Sequence, residues 1–189
     1  MHWAEDFFKN PNPIILELGC GKGEYTVGLA EKYPEKNFIG IDLKGARLWR
    51  GSKTVQENRM KNVAFIRSRV DHILRFFGPG EVSGIWITFP DPQPGKERKR
   101  LTSNVFLDRY KIITTPDAII HLKTDNPDFF QYTLDIIEKN DHNLLYSTDD
   151  LYHCDLAEDV ITIRTYYENM WLEKGKKICY VKFRLNRNN

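Results

Sequence analysis

Residues 14–24, IILELGCGKGE, constrain the fold more than any other stretch of the chain. Ile14–Leu18 is an apolar run bounded by Pro13 and Gly19, the pattern of a short strand buried on both faces. Gly19, Gly21 and Gly23 follow at once and free the backbone to turn sharply and approach a ligand closely. Residues 24–32 then set Val27, Leu29 and Ala30 among polar neighbours, a helix that Pro34 stops. Strand, glycine turn and helix in this order begin a βαβ unit, and such units build a parallel sheet.

The pattern repeats. Further strands are predicted at 38–42, 63–66, 84–89 and 118–124, and helices at 44–60, 70–77 and 104–113. Thr115, Pro116 and Asp117 are predicted as a turn, and Asn126 and Pro127 as the N-cap and first residue of another helix. After residue 143 come two late strands, 144–148 and 178–185, around an acidic loop at 149–159 and a helix near 165–174. The expected class is α/β, with a mostly parallel central sheet of about seven strands and helices on both faces. One domain spanning residues 1–189 is expected.

With 41% hydrophobic and 29% charged residues the chain reads as globular rather than disordered. No apolar run approaches the roughly 18 residues of a membrane span, so no membrane association is expected. Residues 1–10 have neither a basic leader nor an apolar core, so no secretory signal is expected. Cys20, Cys154 and Cys179 have no disulfide or ligand spacing and are read as reduced thiols of a cytoplasmic protein. His121 and His153 read as structural or surface residues, and no metal is expected. The net charge of +2 is mild, but cations cluster at 44–61, 96–100 and 174–187. The first two clusters on one rim would make a phosphate-attracting surface.

In open α/β sheets ligands sit beyond the carboxyl ends of the strands, where Glu17, Gly19, Gly21, Asp42, Asp91 and Asp125 all fall. The loop departs from the G-x-G-x-x-G dinucleotide fingerprint, which disfavours a nicotinamide cofactor. Asp42 is placed to accept hydrogen bonds from ribose hydroxyls. Residues 89–101, FPDPQPGKERKRL, hold an acid between prolines ahead of a cation cluster. Each proline pushes its predecessor towards extended geometry, so Phe89, Asp91 and Gln93 are expected to be extended.

Taken together, ELGCGKGE (17–24), GIDLKGA (40–46), TFPDPQPGKERKRLT (88–102), HLKTDNPDFF (121–130) and RTYYE (164–168) resemble the tRNA (guanine-N7-)-methyltransferase family. The likeness spans nearly the whole chain in motif order. It implies a Rossmann-like methyltransferase fold, S-adenosylmethionine as cofactor, and methylation of a guanine in the tRNA variable loop. It places Glu17, Gly19, Gly21 and Asp42 on the cofactor, with either Arg69 or Asp71, two residues on, beside the adenine. Asp91 becomes the catalytic, guanine-orienting acid, also beside the cofactor. Lys96, Asp125, Thr165, Tyr166, Tyr167 and Glu168 become substrate contacts, and Lys96, Arg98, Lys99 and Arg100 grip tRNA phosphates.

The chain departs from the family pattern in three places. Gln93 stands where an aromatic is usual, Gly95 where a lysine is common, and Arg69 where an acid is expected. These departures keep open a catalytically idle RNA-binding module, and the glycine loop with Asp42 also suits a methyltransferase of a small molecule or protein. Monomer and homodimer are both open.

Overall fold

The computed structural model describes residues 2–154 and 159–187. Seven strands form one sheet in the order β3-β2-β1-β4-β5-β7-β6. They are β1 (Ile14–Leu18), β2 (Asn37–Asp42), β3 (Val63–Arg67), β4 (Val82–Thr88), β5 (Thr114–Thr124), β6 (Asn143–Thr148) and β7 (Cys179–Arg184). β7 is antiparallel to both of its neighbours, and the remaining pairs are parallel. The order reverses between β1 and β4, which opens a crevice at their carboxyl ends.

Alternation along each strand sends side chains to both faces. Leu16, Leu18, Ile39, Ile41, Ile85, Ile87, Ile120 and Leu122 pack on one face with α3 (Asn104–Ile113) and α4 (Pro127–Lys139). Phe38, Trp86 and Tyr180 pack on the other with α1 (Glu24–Lys32). α2 (Gly45–Glu57) follows β2, while α5 (Asp159–Thr162) and α6 (Tyr166–Glu173) precede β7.

The predicted elements appear with small changes of boundary. Residues 70–77 form a shorter 3-10 helix, Val70–Arg75, and a turn of π-helix, Trp3–Phe8, was not legible in the sequence. Trp3 anchors it, donating Nε1–H to the Phe76 carbonyl at 2.8 Å. Thr115, Pro116 and Asp117 do not end the chain segment as a turn but lie within β5. Pairing jumps there from Val82↔Thr114 to Gly84↔Ile119, so the segment bulges from the ladder. Pro116 has no N–H to pair, and the Arg187 guanidinium donates to the carbonyls of Thr114 and Thr115 at 2.6 and 2.8 Å. Part of the expected acidic loop, residues 155–158, lies outside the described residues.

Candidate active site

The glycine turn is shaped by strand pairing and by one carboxylate. Gly19, Gly21 and Gly23 have φ of +76°, +57° and +73°, a region that side chains with a Cβ rarely enter. The Gly19 amide donates to the Ile41 carbonyl at 2.8 Å, continuing the β1–β2 ladder past its last residue. The Gly21 amide donates to Asp42 Oδ2 at 2.9 Å and the Lys44 amide to Oδ1 at 2.8 Å. Asp42 thus ties the loop after β1 to the start of α2, with a lone pair on each oxygen left to accept again.

Beyond this turn lies an open cleft of ≈ 550 Å³ between the carboxyl ends of β1, β2 and β4. Gly19, Asp42, Arg69, Asp71 and Asp91 all line it, as do Arg47, Phe89 and Lys99. It adjoins a narrow channel of ≈ 70 Å³ lined by Glu17, Gly21, Thr88, Thr165, Tyr166 and Tyr167. Gly19, Arg47 and Phe89 border both spaces. A Cβ added at Gly19 or Gly21 would meet nothing within 4 Å, so these two glycines face open space. At Gly23 it would strike the Phe65 ring at 2.5 Å, so that glycine serves packing.

Asp91 is exposed, and its Oδ1 accepts from the Gln93 amide at 2.9 Å. Oδ2 accepts no hydrogen bond among the described residues. The prolines do not give the expected extended path, because Phe89 and Gln93 have φ of +48° and +49°. Phe89 is held there by its amide, which donates to the Lys123 carbonyl at 2.8 Å at the end of β4. Left-handed backbone ahead of a proline stores strain, and such strain concentrates where a loop must be aimed.

Glu17 is 3% exposed, and both its carboxylate oxygens accept from hydroxyls, one from Thr26 and one from Thr88 at 2.5 Å. Burial pushes its pKa up to about 7 against those bonds. Arg69 pairs with Asp71 at 3.2 Å, so both reach the cleft as one exposed pair. Thr165 caps α6 and shares a capping box with Glu168, while Tyr166 and Tyr167 are 57% and 43% exposed.

Three expected contacts stand apart. Glu168 is fully buried, bound to Lys123 Nζ at 2.5 Å and to the Tyr152 hydroxyl at 2.6 Å, and lines neither the cleft nor the channel. Lys96 is exposed on the loop and does not line the cleft, whereas Lys44 and Lys99 do. Asp125 is paired with Lys176 at 3.0 Å and lines neither the cleft nor the channel. Arg100 leaves the phosphate-binding set: it is 7% exposed, donates Nε–H to the Pro92 carbonyl at 2.9 Å, and stacks 4.5 Å from the Tyr132 ring. His121 is structural, its ring 3.8 Å from Trp86 and its Nδ1 2.8 Å from the Tyr180 hydroxyl. No cluster of metal-ligating side chains is found among the described residues.

Sequence reading took Phe89 as extended and missed its role between cleft and channel, and it missed the role of Glu24, which accepts from the Tyr166 amide at 2.9 Å. Nothing in the sequence marks either one, because both roles depend on segments far apart in the chain.

The same architecture occurs in solved methyltransferases. One described as an antibiotic-related methyltransferase superposes with a TM-score of 0.70, covering 95% of this chain and 90% of its own at 16% identity. The 16S rRNA methyltransferase KamB also gives 0.70, covering 93% and 88% at 12% identity. A family model described as a putative methyltransferase matches residues 11–181. Fold and family model therefore define a Rossmann-like methyltransferase.

Curated relatives narrow the class. The tRNA (guanine-N(7)-)-methyltransferase of Bacteroides thetaiotaomicron is 54% identical over 183 residues, 97% of this chain and 73% of that one. That of Christiangramia forsetii is 53% identical over 186 residues, 97% and 83% of the two chains. The chain belongs to the tRNA (guanine-N(7)-)-methyltransferase family.

Proposed function

We propose that this chain transfers a methyl group from S-adenosylmethionine to N7 of a guanine in the tRNA variable loop, acting in the cytoplasm. The observation that carries the reading is the continuity of the glycine-floored cleft with the channel under Tyr166 and Tyr167, with Phe89 and Arg47 bordering both. The donor set fits the cofactor. Gly19 and Gly21 leave a cradle that a Cβ would fill, and Asp42 offers carboxylate oxygens as acceptors for ribose hydroxyls. Arg69 and Asp71 border the end of the cleft suited to the adenine.

When bound, the cofactor supplies a sulfonium methyl, which guanine N7 takes with its own lone pair as the carbon–sulfur bond breaks. N7 carries no proton, so the chain need not supply a base. Positioning dominates, and aligned reactants lower a barrier by roughly 7 to 11 kcal/mol in favourable intramolecular models. Asp91, through Oδ2, accepts from guanine N1–H and the exocyclic amine and stabilises the charge that the methylated ring acquires. Tyr166 and Tyr167 flank the base, and Lys96, Arg98 and Lys99 hold phosphates. Asp125 acts from beyond the cleft by fixing the segment after β5 through Lys176.

The test is transfer of labelled methyl from S-adenosylmethionine to unmodified tRNA, followed by nucleoside analysis. N7-methylguanosine confined to the variable loop is expected. Label in free guanosine or protein but not in tRNA would overturn the reading.

A further inference from the structure

We propose that the groove between α1 and α2 is a second RNA contact, taking one unpaired nucleotide of the substrate with its base on Trp49 and its phosphate on Arg50. The inference rests on the tRNA reading above and adds a site to it. The groove measures ≈ 620 Å³ and is lined by Lys22, Val27, Gly28, Trp49, Arg50 and Thr54. Lys22 and Glu24 also line the channel beneath Tyr166, so groove and channel form one path.

Trp49 is 62% exposed in the middle of an amphipathic helix whose inward face is already supplied by the buried Leu48 and Gly51. An indole so placed adds nothing to the core, but offers a flat surface on which any base can stack. Cations surround it. Lys53 Nζ lies 5.5 Å from the Trp49 ring centroid, and Arg47 and Arg50 are exposed with no ion pair among the described residues. Unpaired guanidiniums beside an exposed indole match a nucleotide, which carries a π-face and an anion together. The acids of the region are placed differently. Glu31 lines the α1 bank, Glu24 is engaged by the Tyr166 amide, and Glu57 pairs with Lys53 at 3.6 Å. The phosphate therefore belongs on the α2 bank, where Arg50 stands. An apolar protein partner would need more than Val27, Ala46 and Trp49 to bury.

The experiment compares the parent with Trp49→Ala, Trp49→Phe and Arg50→Gln in methyl transfer to tRNA and in tRNA binding. Trp49→Ala is expected to raise the KM and Kd for tRNA about tenfold, a typical loss for one stacked base, with the Kd for S-adenosylmethionine unchanged. Trp49→Phe should recover most of the loss, because a smaller ring still stacks. Arg50→Gln should weaken tRNA binding and flatten its salt dependence by roughly one charge. Parental tRNA affinity in Trp49→Ala and Arg50→Gln would overturn the proposal. So would weakened self-association with tRNA affinity intact, which would assign the face to a protein. If the parent itself transfers no methyl to tRNA, the functional reading fails, and the binding measurements still judge the groove.

Discussion

Lys123 Nζ lies 2.5 Å from Glu168 Oε1, and neither side chain has any exposed surface. The ammonium also donates to the Val160 carbonyl at 2.9 Å. The pair binds the end of β5 to the first turn of α6, the turn that presents Tyr166 and Tyr167 to the channel. Burial pulls the Lys123 pKa down, and the Glu168 carboxylate opposes that shift.

Breaking the pair from one side is expected to be severe. Lys123→Met leaves a buried carboxylate without its counter-ion and should cost about 3–5 kcal/mol of stability. Lys123→Met combined with Glu168→Gln should regain much of that, because neither buried charge then remains. Urea unfolding of the two single variants and the double variant measures the coupling. Additive effects would show that the pair is not a unit.

Asp91→Ala should lower turnover by orders of magnitude while leaving S-adenosylmethionine affinity nearly unchanged, since Asp91 faces the cleft from the loop and not from the glycine turn. Asp91→Asn tests charge separately: it retains an acceptor but cannot balance a cationic ring. Single-turnover methylation alongside cofactor titration distinguishes the effects, and near-normal turnover in both variants would remove Asp91 from the site.

Gly21→Ala combines two penalties, a left-handed residue with a Cβ, worth about 1–3 kcal/mol of strain, and a methyl group added in the open space beside the channel. Gly80 has φ of +69° and equally open surroundings but lies between the 3-10 helix and β4, away from the cleft. Both alanine variants should lose similar stability. Only Gly21→Ala should weaken cofactor binding, by tenfold or more in calorimetry.

The sheet, and the glycine turn with Asp42 at its carboxyl edge, were legible because they depend on local patterns: apolar strands, three glycines and an acid closing the second strand. Asp91 was legible for the same reason, since the prolines and the strand before it mark its place. Arg100 and Glu168 were misread because sequence shows residue type and not depth. Arg100 sits in a run of cations yet folds inward over Tyr132, and Glu168 belongs to a tyrosine-rich surface turn yet points at Lys123. Neither partner is near in sequence, so nothing local distinguishes a phosphate grip from a clasp, or a substrate contact from a buried counter-ion.

Arg100 and Lys99, neighbours in sequence, should therefore respond differently to mutation. Arg100→Ala releases the Pro92 carbonyl and the Tyr132 stack, so amide exchange across residues 92–99 should quicken and tRNA turnover fall. The salt dependence of tRNA binding should not change, because Arg100 meets no phosphate. Lys99→Gln should leave exchange alone and reduce the salt slope by roughly 0.7 to 0.9. The opposite pattern would return Arg100 to the RNA-binding set.

Glu17 gives a prediction in pH. Its pKa is raised from 4.5 to about 7 in the folded chain, with burial the largest cause. Between these values the unfolded carboxyl is ionised while the folded one keeps its proton, so the folded state binds more protons and stability falls as pH rises. The contribution is fully present below 4.5 and is gone above about 7, a loss on the order of 3 kcal/mol. His121 acts in the opposite sense, because burial lowers its pKa from 6.5 to about 3 and stability is lost as pH falls through that range. The two trends oppose each other between 4.5 and 6.5, so the parent alone would hide both. The informative quantity is the difference between parent and Glu17→Gln, which removes the titrating group while keeping a polar partner for Thr26 and Thr88. Melting temperatures from pH 5 to 8 should show the variant gaining on the parent as pH rises, with the gap levelling off above pH 7. A constant gap would mean that Glu17 is ionised in the fold across this range, with Thr26 and Thr88 holding a charge and not a neutral acid.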